Sequence, residues 1–205
     1  MGNNISAILL AAGLSRRMGQ PKLLLPWGGT TVLGQVVSTF AAAGTKEIVV
    51  VTGGAREQVE RLMAELATDF PIRGVYNPEY ARGEMLSSIQ AGLAALDSHT
   101  CAALIGLGDQ PQVLEDTVRR ICAIFVQTRS PLVIPSFQNR RGHPWLAARP
   151  LWSKILALPI STTPRQFLNT YTGQVEYVAA DQSILQDLDT PEDYTRERLY
   201  RVLRK

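Results

Sequence analysis

The sequence predicts an α/β fold in which a mostly parallel sheet is covered by helices on both faces. Apolar runs of strand length recur at Ile5–Ala11, Glu47–Thr52, Ile72–Tyr76, Ala102–Leu107 and Leu132–Pro135. They do not alternate with polar residues and are bounded by Gly, Pro or polar turns, as strands buried on both faces require. Segments of helical period lie between them: Val32, Leu33, Val36, Val37 and Phe40 form one stripe, and Met85, Leu86, Ile89, Leu93 and Leu96 another. Strand followed by helix, repeated, is the pattern of a parallel sheet with crossover helices.

The 205 residues suit one domain, and a chain of this size buries roughly 70% of the surface its unfolded form exposes. With 45% hydrophobic and 19% charged residues, the composition is that of a globular protein and argues against disorder. No repeat or low-complexity linker divides the chain. The one irregular stretch, Ser136–Pro150, contains Gly142, Pro144 and the pair Arg140–Arg141, and reads as a functional loop or small insertion. A last helix is signalled by Thr190 as N-cap, Pro191 in the first turn and Asp193 completing a capping-box-like pattern.

The net charge of +3 is small, and a nucleic-acid binder concentrates its basic residues on one face or run. The only dense cluster, Arg196, Arg198, Arg201, Arg204 and Lys205, reads as the solvated end of the last helix, where positive charge complements the helix dipole. No nucleic-acid partner is expected. Cys101 and Cys122 match no metal or redox spacing; buried packing thiols and a reducing, cytoplasmic setting are expected. The apolar run Ala7–Ala12 is too short for a membrane helix and lacks a basic leader. The start MGNNIS satisfies the loose N-myristoylation pattern, but a strand beginning at Ile5 holds this segment in the sheet, and the match is read as chance.

In open α/β sheets, ligands bind beyond the carboxyl ends of the strands. The first run ends at Ala11–Ala12–Gly13, and Ser15, Arg16, Arg17, Gly19 and Lys22 follow at once. Small residues let backbone N–H groups approach an anion, and the basic ones supply charge-assisted hydrogen bonds to phosphate. The spacing is neither the P-loop nor the GxGxxG dinucleotide pattern. A tight turn with solvated arginines is the plain alternative; Lys22 leading into Leu23–Leu25 argues against it.

The stretch Leu9–Pro26, LLAAGLSRRMGQPKLLLP, closely resembles the signature of the molybdopterin-type nucleotidylyltransferases, in the molybdenum cofactor cytidylyltransferase (MocA-like) branch of the MobA-like family. The likeness continues in order through TGG at Thr52–Gly54, NPEYARGEMLSSIQAGL from Asn77 to Leu93, GDQP at Gly108–Pro111, RGHP at Arg141–Pro144 and DLDTPEDY from Asp187 to Tyr194. The first signature alone is shared by many nucleotidylyltransferases; the ordered combination is far more specific. The resemblance implies one Rossmann-like domain over residues 1–205, of the nucleotide-diphospho-sugar transferase type. It also implies CTP held by Leu10, Ala11, Ala12 and Gly13 with Arg16 and Lys22. GTP-using relatives usually read LAGG where this chain reads Leu10–Ala11–Ala12–Gly13, and the Ala12 methyl would occupy space a purine needs.

Asp109 follows the run Ala102–Leu107 and the small Gly108, so its carboxylate faces the same crevice as the first loop. Magnesium takes few protein carboxylates and fills its shell with water and phosphate. Spacing alone leaves a helix N-cap, with Pro111 opening the next helix, equally open. The resemblance implies that Asp109 is the magnesium ligand. It also sets Asp187 and Asp189 beside nucleotide and metal, where a second-ligand role for Asp189 competes with helix capping. A glycosyltransferase DxD motif is the rival label, but it normally lies mid-chain. Ser87 and Ser88, after Gly83, are placed to contact base or phosphate from a helix N-terminus, or simply to start that helix. His143 reads as a loop hydrogen-bonder, while Arg140, Arg141 and His143 would suit an anionic molybdopterin acceptor.

The reaction implied is transfer of CMP from CTP to the terminal phosphate of molybdenum-bound molybdopterin, with a molybdoenzyme as a possible recipient and no membrane partner. Lys22, with Arg16, would stabilise the departing pyrophosphate, and Asp109 would hold magnesium. The alternatives are a cytidylyltransferase with another phosphorylated acceptor, such as a methylerythritol phosphate, and a non-catalytic cofactor chaperone. The first family typically reads PKQYL where this chain has LLLP after Lys22; the second should tolerate loss of Asp109.

Overall fold

Strand β1, Ile5–Ala11, is the axis of the sheet and is buried along nearly its whole length in the computed structural model, which describes residues 4–82 and 85–203. A small hairpin follows, β2 Pro26–Trp27 and β3 Thr30–Thr31, then α1 Val32–Ala42. Next come β4 Ile48–Thr52, α2 Arg56–Leu66, β5 Ile72–Tyr76, α3 Met85–Ala95 and β6 Ala102–Leu107. The second half holds α4 Glu115–Thr128, β7 Leu132–Phe137, β8 Arg140–Arg141 and β9 Trp145–Ala148. It closes with α5 Trp152–Leu156, α6 Pro164–Thr170, β10 Val175–Ala179 and α7 Pro191–Leu203.

The main sheet runs β10-β7-β9-β6-β1-β4-β5, with β8 paired to β7. β1 lies between β4 and β6 and is parallel to both, so the chain reverses its direction of travel across the sheet beside β1. Such a switch point opens a crevice at the carboxyl ends of the strands. Side chains alternate between two cores, as the pleat dictates. Ala7, Leu9, Ile48, Val50 and Leu104 meet α1, α2 and α4 on one face; Ile8, Val49, Val51 and Ile105 meet α3, α5 and α6 on the other. This double burial is why these strands read as unbroken apolar runs.

Helix starts follow their caps. Thr31 accepts from Gly34 N–H at α1, and Thr163 with Gln166 forms a capping box at α6. At α7, Thr190 Oγ1 accepts from Asp193 N–H while the Asp193 carboxylate accepts from Thr190 N–H, as expected. Both cysteines are unpaired and half-buried, with burial pushing the Cys122 thiol up to about 11. No helix of the described residues is long and apolar enough to cross a membrane. The N-myristoylation pattern at Met1–Asn3 and the ends of the basic cluster, Arg204 and Lys205, lie outside the described residues.

Two expectations are corrected. Ser136–Pro150 is not an irregular loop. Gln138 and Asn139, both at positive φ, turn β7 into β8, as a two-residue hairpin of the primed type requires. β9 then inserts antiparallel between β6 and β7, inside the sheet. Nor does Pro111 open a helix: α4 begins at Glu115, after Leu114, so Asp109 is not its cap.

Candidate active site

The carboxyl ends of β1, β4 and β6 finish level, with Ala11 beside Thr52 and Leu10 beside Leu107. Ala12–Gly13, Gly53–Gly54 and Gly108–Asp109 therefore share one rim. The two loops nearest β1 approach closely: Gly54 N–H donates to Ala12 C=O at 3.1 Å, and a Cβ on Gly53 would stand 2.6 Å from that same oxygen. Beyond Gly13 the chain turns sharply. Ser15 sits at φ 48°, in the left-handed region, which L-residues rarely adopt, and its hydroxyl accepts from Lys22 N–H at 3.3 Å. This bond helps to fold the loop back and set Lys22 over the crevice.

The carboxylates come from two distant segments. Asp109 ends the β6 turn, and residues 184–189 dock against it. Leu188 N–H donates to Asp109 C=O at 3.3 Å, Gln110 Nε2 donates to Asp187 Oδ1 at 2.8 Å, and Gln112 Nε2 donates to Gln186 C=O. The Lys22 ammonium then bridges Asp109 Oδ2 and Asp189 Oδ1, the latter at 3.0 Å. Arg17 pairs with the other Asp189 oxygen at 2.7 Å.

Burial acts to lower the Lys22 pKa, but the charge of Asp109 and its hydrogen bond, then those of Asp189, outweigh it and raise the net value. At Asp189, burial favours the neutral acid, yet Lys22 and Arg17 hold the carboxyl below its ordinary range. Asp187 behaves oppositely: desolvation first, and the neighbouring Asp109 charge second, push it up to about 6. Two carboxylates thus converge on one cation position. Among the described residues no group of three or more His, Cys, Asp or Glu forms a metal cage, so a metal here would complete its shell with solvent and substrate oxygens, as magnesium does.

Around this cluster lies a cavity of about 290 Å³, lined by the Leu10–Gly13 loop, Ser15, Lys22, Tyr80, Ser88, Asp109, Asp187 and Asp189 among others. A second cavity of about 560 Å³ is built by Asn139–His143, Trp145, Arg165, Asn169 and Leu185, two residues before the Asp187 that lines the first. Gly142 packs so tightly on Ile184 C=O that a Cβ there would overlap it, and His143 N–H donates to the same oxygen at 3.1 Å. Burial pushes the His143 imidazole down to about 4, so it is neutral at physiological pH.

The MobA-like NTP transferase domain matches residues 7–176. The chain belongs to this family. It is 31% identical to the molybdenum cofactor cytidylyltransferase of Escherichia coli strain K12, over 93% of each chain. It is also 32% identical to the nicotine blue oxidoreductase of Paenarthrobacter nicotinovorans, over 97% of this chain and 96% of that one. Among solved structures, Rv0371C from Mycobacterium tuberculosis H37Rv in complex with manganese superposes with a TM-score of 0.74 at 28% identity, covering 94% of this chain and 97% of that one.

In this nucleotidyltransferase the first cavity gathers Leu10, Ala11, Ala12, Gly13, Lys22, Ser88, Asp109 and Asp189. Arg16 stays exposed on its turn and does not line it. Ser87 is buried behind Ser88; the Asn77 amide donates to both hydroxyls, at 2.9 and 3.0 Å. Gly83, at the entrance to α3, lies outside the described residues. Arg140, Arg141 and His143 share the second cavity. Asp189 is engaged by Lys22 and Arg17 rather than by the helix. Sequence reasoning gave no individual role to Ser15, Tyr80 or Gln110, although Ser15 stands in the first turn and the other two fall inside the motifs quoted above.

Proposed function

We propose that this nucleotidyltransferase transfers CMP from CTP to the terminal phosphate of molybdenum-bound molybdopterin. Residues 1–205 are read as one such domain, since Asp187 and Asp189 lie beyond the family match yet line the first cavity. The observation that carries the reading is the Lys22 ammonium held between Asp109 and Asp189 beneath the small-residue loop. Likeness to the Escherichia coli cytidylyltransferase supports the choice of acceptor.

A phosphate oxygen of the acceptor attacks the α-phosphorus of CTP, and the bond to the β-phosphate oxygen breaks, releasing pyrophosphate. The nucleophile is already anionic, so alignment and charge neutralisation do the work. Leu10, Ala11, Ala12 and Gly13 bring backbone close to the triphosphate. Lys22 turns from its carboxylates to the phosphates, and Arg16, free to swing from its exposed turn, meets the departing pyrophosphate. Ser88, with Ser87 behind it, is assigned to base or phosphate. Magnesium, bound by Asp109 and Asp189, would supply Lewis-acid neutralisation of the phosphates. Arg140, Arg141 and His143 are assigned to the acceptor.

Cytoplasmic location and delivery of the product to a molybdoenzyme belong to the same proposal. Product analysis tests it. Incubation with CTP, magnesium and molybdenum-bound molybdopterin should yield the cytidine dinucleotide by mass spectrometry, whereas recovery of the unmodified acceptor would contradict it.

A further inference from the structure

Helix α7 inverts the usual pattern of burial: Leu199 is 62% exposed, whereas Glu197 is 4% exposed. Carboxyl side chains are almost never buried to this degree without a partner, and apolar packing alone would favour the opposite choice at these two positions. Glu197 Oε1 accepts from Gln186 Nε2 at 3.1 Å and from Arg196 Nε at 3.0 Å. Gln186 immediately precedes Asp187, and its own C=O accepts from Gln112 Nε2. The 184–189 segment is therefore gripped twice, by the β6 turn and by α7.

Tyr194, one turn earlier on the same face of the helix, reaches the other half of the site. Its hydroxyl donates to Pro26 C=O, and its ring lies 6.2 Å from the buried ring of Trp27. Pro26 closes the loop that begins with the short turn Lys22–Leu24. The loop carrying Lys22 and the segment carrying Asp189 are thus both fastened to α7, through Tyr194 and Glu197. The gap between those two segments is the space that a metal ion and a triphosphate must enter.

We propose that Tyr194 and Glu197 are positioning residues: Glu197, acting through Gln186, sets where Asp189 stands, and Tyr194, acting through Pro26, sets where Lys22 stands. Neither lines the nucleotide cavity. This rests on the metal and nucleotide roles proposed above for Asp109, Asp189 and Lys22, and deepens them. The two ties hold different groups, so their loss has different consequences. The first displaces a carboxylate that faces the metal, the second a cation that faces the phosphates.

The test uses the full chain. Manganese binding is followed by electron paramagnetic resonance in a Lys22→Ala background, where no ammonium competes for the carboxylates. Adding Glu197→Leu should weaken it about tenfold, the lower end of the loss when a residue that orients a metal ligand is removed. Glu197→Gln, which still accepts from Gln186, should bind like its parent. Exchanging a buried carboxyl for an apolar side chain is often neutral or stabilising, so the Leu variant should melt no earlier than the parent. Gln186→Met removes the same bond from the other side and should reproduce the loss, whether or not the Leu variant folds. Tyr194→Phe keeps the ring contact with Trp27. With Lys22 present it should weaken CTP binding about fivefold by calorimetry, the scale of one neutral hydrogen bond; in the Lys22→Ala background it should leave manganese binding unchanged. Unchanged manganese affinity in the Glu197→Leu and Gln186→Met variants overturns the proposal. So does an equal loss in the Leu and Gln variants that tracks a lower Tm, or normal CTP binding by Tyr194→Phe. If the unsubstituted chain binds no CTP and its Lys22→Ala form takes up no manganese, the nucleotide reading falls and the positioning roles fall with it. If both bind and the substitutions change nothing, the nucleotide reading stands and the positioning roles alone fall.

Discussion

Lys22 Nζ and Asp189 Oδ1, 167 residues apart in the chain, meet at 3.0 Å in the lining of the first cavity. Asp109 grips the same ammonium from the other side. The lysine thus stands where a metal ion would sit between the two carboxylates. On the proposed mechanism, a metal would compete with the lysine for one position when the triphosphate is absent, and the phosphates would relieve that competition by taking the lysine.

Lys22→Ala should therefore separate two properties. Turnover falls by about 10²–10³, the usual cost of one charge-stabilising donor. Manganese binding without nucleotide, followed by electron paramagnetic resonance, becomes tighter because no ammonium opposes it. Near-normal turnover, or weaker manganese binding, would remove Lys22 from this role.

Asp109→Asn distinguishes enzyme from chaperone. As a metal ligand, Asp109 should be worth at least about 10²-fold in rate, with molybdopterin still bound. A cofactor chaperone would deliver its cargo equally well with asparagine there. Parallel measurement of initial rate and molybdopterin binding reads both outcomes.

The parallel core was legible because double burial leaves unbroken apolar runs, and four of the five predicted strands end where expected or within a residue. β10 was not: Glu176 and Tyr177 lie exposed on an edge strand, so no apolar run marks it. β9 was hidden by the prolines and arginines around it, although its four residues are all buried. Asp109, Asp189 and Lys22 could each be singled out from sequence. Their meeting could not, because it depends on Gln110 and Gln112 holding residues 184–189 against the β6 turn, a contact with no local sequence signal.

Ala12 tests base choice. Its methyl lies against Gly53 and lines the cavity. Ala12→Gly should raise GTP affinity relative to CTP by about tenfold or more in competition binding, in line with the roughly 1–3 kcal/mol that one methyl contributes in a fitted pocket. An unchanged ratio would place base selection elsewhere.

His143 makes stability depend on pH. Its folded-state pKa is depressed to about 4 from 6.5, so its contribution is complete above about pH 6.5 and is lost as pH falls towards 4. His143→Gln should flatten that limb by on the order of 3 kcal/mol. Denaturant melts of both proteins at several pH values measure the difference. Parallel profiles would contradict a buried neutral imidazole.

Gly142→Ala should act at a distance. The added methyl meets Ile184 C=O, and overpacking of this kind costs about 1–3 kcal/mol. The displaced 184–189 segment should also weaken metal binding at Asp189. Lower thermal stability with unchanged manganese affinity would show that the two cavities are not coupled through this segment.

The most direct measurement is the initial rate of pyrophosphate release with magnesium and molybdopterin, run in parallel with CTP and with GTP. The geometry at Lys22, Asp109 and Asp189, with Ala12 above it, predicts acceptor-dependent release that is faster with CTP. Release that ignores molybdopterin, or that favours GTP, would contradict it.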